Sequence, residues 1–261
     1  MRSAQRLACV VSSVTILGSA WACSSFEAVP AAEPDAAAPD AGEMAGPDAG
    51  FMCNRIGQPI EERFDEEPAL RAEVASGGTL GVDGGVLYAK VTNKGSAQRS
   101  YYSTSIPIAS GRSFGHARVR YTFKGLVPPT SYTEAGCAII FHQRGDGTSS
   151  AVRVELRPES IRLDDVAFLD GGAFDSGVGE PLAPFERTPT DYPITIDVRM
   201  GDGVLVSTGS VPGAVPVTKT TPLLAEIVTI DLHCGIDSAS VPDGGEYGVM
   251  LDDVLIDLCA R

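Results

Sequence analysis

Two acidic patterns are the first candidates for chemistry, because carboxylates carry out glycosidic cleavage and bind calcium. Acids crowd the segment Glu61–Glu67, and the tetrapeptide LDDV occurs at Leu163–Val166 and again at Leu251–Val254. Glycosidases hold two carboxyl groups roughly 5–10 Å apart. Neighbouring strand residues point to opposite faces, so neither Asp pair forms a ready-made dyad, and we assign no catalytic residue. The run at Glu61–Glu67 is expected to be solvated.

Calcium is the one cofactor that remains a candidate for binding by these acids. One Asp from each LDDV segment, Asp164 or Asp165 and Asp252 or Asp253, is a candidate Ca²⁺ ligand together with loop carbonyl oxygens. The sequence has no C-x₂-C pair and only three histidines, so a zinc site is disfavoured. We therefore predict no metal other than this Ca²⁺ alternative, and no nucleotide-binding loop is present in the sequence.

A serine motif and three histidines are the candidates for nucleophilic or acid–base catalysis. Gly111–Gly115 reads GRSFG and fits the G-x-S-x-G pattern, with His116 directly after it. That pattern supports hydrolysis only on a strand–turn–helix elbow, whereas a strand-like segment follows here. We interpret it as a turn that enters a strand. His142 and His233 are expected to be surface or edge groups, because neither has a recognisable catalytic partner in the sequence.

Aromatic side chains for stacking on sugar rings are scarce. The single Trp is Trp21, which lies in the first segment of the chain. Sugars dock on flat aromatic faces, and Trp offers the largest one. The remaining candidates for stacking are Tyr101, Tyr102, Tyr132, Tyr192 and Tyr247.

The first segment has the layout of a secretory signal. Met1–Ala22 begins with two arginines, continues with a short apolar run and ends in Ala20-Trp21-Ala22. The next residue is Cys23, and a small residue before Cys resembles a bacterial lipobox, which implies that Cys23 is lipidated. Cleavage by ordinary signal peptidase is the alternative. The lipid predicts anchoring in the cell envelope, at the outer membrane or cell surface, with membrane contact through the anchor only.

A tether is expected between Cys23 and the folded part. Residues 24–52 are rich in Ala, Pro and acids and contain no Lys or Arg. Too few large apolar groups are present to form a core, so we predict a disordered spacer over 23–52. The whole chain carries 34 acidic and 20 basic side chains, a formal charge of −14. This charge disfavours nucleic acid as a partner.

The remaining residues, 53–261, alternate apolar and polar side chains with a period of two. His116–Lys124 reads HARVRYTFK and Ile194–Met200 reads ITIDVRM, so each has one apolar face. Cys137–Phe141 is apolar on both faces, which indicates a central strand. Turn-forming triplets separate the segments at 83–85, 93–95, 145–147, 201–203 and 243–245. This pattern predicts an all-β domain built as a two-sheet antiparallel sandwich.

Three segments extend this prediction to a family. Arg63–Pro68, Tyr192–Ser207 and Tyr247–Leu258 resemble the opening strand, the central hairpin and the closing strand of the concanavalin A-like lectin/glucanase jelly roll, in its laminin-G-like form. The resemblance covers most of Phe64–Leu258. Together with the signal and the tether, it is similar to the surface lipoproteins of some Gram-negative bacteria.

The resemblance also bears on the cysteines. Outside the signal and Cys23, four cysteines remain, and an oxidising compartment predicts two disulfides with three pairings open. Because the first and last strands of this fold are neighbours, the resemblance implies Cys53–Cys259, which leaves Cys137–Cys234.

The function expected from these features is binding. Glucanases of the family carry Glu-x-Asp-x-x-Glu on one strand, and nothing in the sequence matches it. We therefore expect a non-enzymatic, membrane-anchored binding or adhesion module with carbohydrate as its candidate ligand. An atypical glycoside hydrolase or polysaccharide lyase, and a purely structural envelope lipoprotein, remain as alternatives. Ligand identity and oligomeric state stay open.

Overall fold

The computed structural model describes residues 53–261, apart from 67, 69, 75–77, 93–97, 146–147, 170–171, 176–178, 187, 240 and 242–244. The predicted signal peptide, Cys23 and the predicted tether up to Met52 lie outside the described residues. Within the described part, the chain forms strands and turns, and it contains no helix with the length and apolar character needed to cross a bilayer.

Seventeen strands are present in the described part of the chain, and they include every alternating segment noted above. They are β1 (Asn54–Arg55), β2 (Ile60–Glu62), β3 (Arg71–Val74), β4 (Thr79–Asp83), β5 (Val86–Thr92), β6 (Gln98–Pro107), β7 (Phe114–Leu126), β8 (Thr133–Gln143), β9 (Ser149–Arg157), β10 (Ser160–Leu169), β11 (Gly172–Asp175), β12 (Glu180–Pro184), β13 (Thr190–Met200), β14 (Val204–Ser210), β15 (Val217–Pro222), β16 (Ile227–Ala239) and β17 (Glu246–Ala260).

The strands form two antiparallel sheets. Sheet A has the order β15-β14-β13-β7-β17-β5-β4, and β1 and β2 also pair with β17. Sheet B has the order β11-β10-β9-β8-β16-β6-β3, and β12 also pairs with β10. The first and last strands are neighbours, since Asn54 lies opposite Ala260. The predicted all-β, two-sheet jelly-roll sandwich is therefore confirmed.

The hydrophobic core lies between the two sheets, and the period-two segments supply it. On β7, Ala117, Val119, Tyr121 and Phe123 are buried, while the residues that alternate with them are half-buried. On β8, Ile139 and Phe141 are also fully buried. This strand lies between β9 and β16 in sheet B, so the central position predicted for Cys137–Phe141 is confirmed.

The β4–β5 hairpin has a loop of two glycines. Asp83 and Val86 pair across the β4–β5 hairpin, which leaves Gly84 and Gly85 as a two-residue loop. Their φ angles are 61° and 82°, values that the favoured hairpin turn requires and that glycine adopts without steric cost. The predicted turn at 93–95 lies outside the described residues, and those at 145–147 and 243–245 lie partly outside them.

Two disulfides connect neighbouring strands or their extensions. Cys53, just before β1, is bonded to Cys259 of β17, with a Cα–Cα distance of 5.3 Å. Cys137 of β8 is bonded to Cys234 of β16, directly opposite it in the sheet, with a Cα–Cα distance of 4.1 Å. One bridge therefore ties the two ends of the domain together, and the other lies in the middle of sheet B.

Candidate functional site

The alternation that fills the core also determines which side chains reach the outer face of sheet B. On β16, Leu232 faces the core, so Asp231 and His233 on either side of it face outward. His233 lies opposite Ser103 of β6, and Ser103 lies opposite Arg71 of β3. Polar side chains from three adjacent strands therefore share one patch of surface.

These side chains line an open depression with a volume of about 360 Å³, which we call the sheet B depression. Its lining residues are Arg71, Glu73, Ser103, Thr104, Ser105, Asp231 and His233. A guanidinium, two carboxylates, two serine hydroxyls and an imidazole are thus combined, and they offer both hydrogen-bond donors and acceptors. The side chain of Arg71 is 81% exposed, so the donors at this rim are accessible to a ligand.

The imidazole of His233 is held on two sides. Its ring stacks on Tyr101 with centroids 4.2 Å apart and planes within 13°, and its Nδ1 lies 2.9 Å from Oδ1 of Asp237. The Tyr101 hydroxyl donates a hydrogen bond of 3.0 Å to Glu73. Burial, this hydrogen bond and the charge of Asp237 raise the pKa of Tyr101 to about 12, so the hydroxyl remains a donor at neutral pH. The orientation of His233 is therefore fixed by its neighbours.

A second imidazole on this face is paired with a carboxylate of the depression. Nε2 of His142 lies 2.6 Å from Oδ2 of Asp231, and the His142 side chain is 41% exposed. The other oxygen of Asp231, Oδ1, is shielded from solvent and has no hydrogen-bond partner among the described residues. A carboxylate in this position can orient the ring.

Beside the depression, an ionic cluster extends across β8, β9 and β10. Arg153 places Nη1 2.7 Å from Glu134 and Nε 3.0 Å from Asp164, and the two carboxylates are 9% and 4% exposed. The hydroxyl of Tyr132 is hydrogen-bonded to Glu134 and accepts a hydrogen bond of 3.3 Å from Arg153. Burial raises the pKa of Glu134 and of Asp164, although Arg153 opposes the shift at both.

Lys219 extends this cluster to the other sheet. It belongs to β15 of sheet A, and its Nζ lies 2.7 Å from Asp165 and 3.7 Å from Asp164 of β10. Thr221 of the same strand donates a hydrogen bond to Asp165. We define the ionic cluster as Tyr132, Glu134, Arg153, Asp164, Asp165 and Lys219. Its carboxylates form ion pairs with Arg153 and Lys219, so the cluster is an ordered polar surface beside the depression.

The predicted acidic candidates are distributed over different places. Arg63 pairs with Glu61 at 3.1 Å on an exposed surface, as expected of a solvated run, and Glu67 lies outside the described residues. Asp164 and Asp165 belong to sheet B, whereas Asp252 and Asp253 belong to β17 of sheet A. In the described part of the chain, no group of three or more His, Cys, Asp or Glu side chains has the arrangement needed to hold a metal ion.

The serine motif forms a turn before a strand, as the sequence predicts. Gly111–Gly115 forms a turn that leads into β7, which begins at Phe114, so no strand–turn–helix elbow exists. His116, the residue after the motif, contacts a carboxylate on another strand: its Nε2 lies 3.0 Å from Asp197 of β13.

Sequence reasoning missed the environment of the other two histidines. His233 lies in the interior of β16, and both His142 and His233 have carboxylate partners. Asp231 lies 89 residues from His142 along the chain, so only the pairing of β8 with β16 brings the two together. Asp237 is four residues from His233. Residues with this spacing lie far apart in a regular extended strand, so the sequence did not indicate their contact.

The tyrosines proposed for stacking are mostly unavailable. The rings of Tyr101, Tyr102 and Tyr192 are buried, which contradicts their role as open platforms. Tyr102 and Tyr192 face the core, whereas Tyr101 lies on the outer face of sheet B, where His233 covers its ring. Tyr132 belongs to the ionic cluster, and Tyr247 donates a hydrogen bond to the carbonyl oxygen of Val127.

Comparison with known proteins yields solved structures only; no family model and no curated protein matches the chain. Peanut lectin has a TM-score of 0.47 and 11% identity, covering 78% of this chain and 97% of its own. The CBM2 module of the evolved Dit of Lactobacillus casei BL23 phage J-1 has a TM-score of 0.47 and 12% identity, with 80% and 96% covered. SCLam, a non-specific endo-beta-1,3(4)-glucanase from family GH16, has a TM-score of 0.46 and 10% identity, with 77% and 90% covered.

The lectin and the glucanase are concanavalin A-like jelly-roll proteins, the family that the sequence resembles. At these identities and TM-scores, the likeness says nothing about the ligand or activity of this chain. What the outer face of sheet B can do must follow from its own side chains.

Proposed function

We propose that this protein is an extracytoplasmic binding module that holds a saccharide in the sheet B depression. The observation that carries the proposal is the depression itself, an open volume of about 360 Å³ lined by charged and hydroxyl side chains from three strands. Saccharide hydroxyls both donate and accept hydrogen bonds. Arg71 supplies donors, Glu73 and Asp231 supply acceptors, and Ser103 and Ser105 supply both.

The side chains of the depression are held in place before binding. Tyr101 and Asp237 fix the ring of His233, and His142 fixes Asp231. A site that is ordered in advance loses less conformational entropy when the ligand arrives. Polar recognition by such a site does not require a Trp platform, which the described residues lack.

Binding is favoured over glycosidic hydrolysis by the spacing of the two carboxylates. Glu73 lies opposite Tyr101 and Asp231 lies opposite Ser105, so they are two strands apart and four residues apart along the strands. With about 3.3 Å per residue and about 4.8 Å per strand, their α carbons are about 16 Å apart. Glycosidases place their two carboxyl groups within roughly 5–10 Å, so the side chains of Glu73 and Asp231 would have to lean toward each other by about 6 Å or more to act as such a pair.

A polysaccharide lyase is the second candidate, because one observation favours it. The His142–Asp231 pair, 2.6 Å apart, is an imidazole positioned by a carboxylate at the edge of the same face. Such a group can remove a proton from a sugar carbon next to a carboxylate. Incubation with polyuronates and measurement of the ultraviolet absorbance of unsaturated products tests this function. A signal abolished by His142→Ala would replace the binding proposal with the lyase.

The anchor is part of the proposal. Lipidation of Cys23 would hold the domain at the cell envelope, and the acidic segment 24–52 would keep it away from anionic lipid headgroups. Mass spectrometry of the mature N-terminus tests this directly. We expect acyl chains on Cys23, and an unmodified Cys23 would remove the anchor from the proposal.

The binding proposal is tested by a glycan array probed with the purified mature protein. We expect retention on a defined group of saccharides, and Arg71→Ala should weaken it. Arg63→Ala is the matched control, because both arginines are more than two-thirds exposed and each contacts one nearby glutamate. Absence of retention on every saccharide, or equal loss in both variants, would argue against the site and favour a structural role.

A further inference from the structure

Tyr88 has a different setting from the other tyrosines. It is 37% exposed, and it is the only aromatic residue among the large exposed side chains of the described chain. On the outer face of sheet A it lies opposite Gly81 of β4. A Cβ atom at position 81 would come within 2.6 Å of Cζ and 2.9 Å of Cε1 of the ring. The ring therefore lies across Gly81, which is how aromatic residues cover glycines on edge strands.

The hydroxyl end of the ring lies over Gly81, on the strand at the edge of the sheet. In sheet A, β4 pairs with β5 alone and forms the edge. The Tyr88 hydroxyl makes no hydrogen bond with any residue that the structure describes. One part of the ring is packed on Gly81, and the rest remains available to a ligand at this edge.

A cavity of about 400 Å³ adjoins the ring. Its lining includes Asp65, Glu66, Asp83, Gly84 and Tyr88. No Lys, Arg or His belongs to the lining, and none of the three carboxylates has an ion-pair partner within the described residues. The cavity therefore combines an exposed aromatic surface with three negative charges that no cation neutralises.

We propose that this cavity binds a primary ammonium group, such as the amine of an amino sugar. An ammonium over an aromatic face is attracted by the ring quadrupole, and carboxylates add charge-assisted hydrogen bonds. A primary ammonium has three N–H donors that the acids can accept. A quaternary ammonium has none and relies on aromatic faces, of which the cavity exposes Tyr88 as its main one. Uronic acids and sulfated sugars are repelled by the three carboxylates.

This site shares no lining residue with the sheet B depression, although Tyr102 of sheet B also adjoins it. Its ligand class is set by charge, whereas the depression is proposed to recognise hydroxyl groups. Failure of one site therefore leaves the other untouched, and variants of Arg71 serve to separate them.

The test is isothermal titration of the mature protein with the trimer of glucosamine at low ionic strength and at a pH where its amines are charged. The trimer of N-acetylglucosamine has the same rings without the ammonium groups and is the matched ligand. We expect the glucosamine trimer to bind at least about tenfold more tightly, a difference of about 1.4 kcal/mol.

Three variants assign the binding to this cavity. Asp83→Asn and Tyr88→Leu should each weaken binding of the glucosamine trimer several-fold, and Tyr88→Phe should retain it because the aromatic face remains. Asp202→Asn makes the same change in net charge on a fully exposed residue of another turn, and it should leave the affinity unchanged. If Tyr88→Leu fails to fold, Asp83→Asn still decides. Equal affinity for both trimers, or equal effects of Asp83→Asn and Asp202→Asn, would overturn the proposal.

Discussion

Lys219 and Asp165 join the two sheets at one side of the sandwich. Nζ of Lys219 lies 2.7 Å from Oδ1 of Asp165, and their side chains are 11% and 1% exposed. Lys219 belongs to the edge strand β15 of sheet A, and Asp165 belongs to β10 of sheet B. Asp164 lies 3.7 Å from the same Nζ. One ammonium therefore balances two buried carboxylates at the junction of the sheets.

Removal of that ammonium should be costly. Lys219→Met leaves Asp164 and Asp165 buried with less positive charge, and breaking a buried pair in this way typically costs about 3–5 kcal/mol. We expect a loss of this size in the free energy of unfolding, measured by urea denaturation at pH 7.

Lys90→Met is the control for Lys219→Met. Lys90 pairs with Glu246 at 2.6 Å, but the side chains are 42% and 64% exposed. Exposed ion pairs contribute about 0–1 kcal/mol, so this variant should be nearly as stable as the wild type. Equal losses in the two variants would show that the Lys219 pair does not hold the sheets together.

The titration of Glu134 should lower the stability of the protein as the pH rises. Burial raises its pKa above the ordinary value of 4.5, against the opposing effects of Arg153 and the Tyr132 hydroxyl. The folded state then binds the proton more tightly than the unfolded state does, so the contribution is fully present below about pH 4.5 and is lost as the pH rises through the folded pKa. Wild type should lose stability relative to Glu134→Gln between pH 4.5 and 7. A pH-independent difference would contradict this.

Asp197 on the other sheet should show the opposite behaviour. Burial raises its pKa, but the hydrogen bonds from His116 and Arg118 outweigh it and bring the pKa below the ordinary value of 3.8. Its contribution is therefore present above about pH 4 and is lost as the pH falls through the folded pKa. The advantage of wild type over Asp197→Asn, measured by chemical denaturation, should shrink below pH 4. An advantage that grows with acid would disprove the assigned sign.

Gly136 should tolerate no side chain. Its φ is 106°, and a Cβ atom there would come within 2.7 Å of Cζ of Tyr121, which reaches across the core from β7. Strain and overpacking together predict that Gly136→Ala lowers the free energy of unfolding by about 2–4 kcal/mol. Adding Tyr121→Phe removes the hydroxyl nearest to position 136 and should recover part of the loss. Two strictly additive losses would mean that the side chains do not meet.

The sandwich could be predicted because its long strands carry their own signal. Alternation in β7, β13 and β16 is a local property of the sequence, and it reports directly on which face is buried. Short strands such as β1 and β3 have too few residues to show a period, so the alternation in the sequence did not indicate them.

The candidate site could be predicted only in part, because its contacts depend on strand order. Arg153 and Asp164 are recognisable as charged residues in alternating segments, but their meeting with Lys219 requires β15 to lie beside β10. Tyr88 was missed for a similar reason. Its setting depends on the glycine opposite it in the next strand, and not on its own neighbours in the sequence.

The three histidines provide the most direct test of the sheet B depression. His233 lines it, His142 contacts its Asp231, and His116 lies on the outer face of sheet A beside Asp197. The measurement is the NMR spectrum of the imidazole C–H groups during titration with the saccharide that the array retains best. We expect the signals of His233 and His142 to shift with the same saturation curve while that of His116 stays fixed. Saturable binding that shifts His116, or that shifts none of the three, would contradict the site.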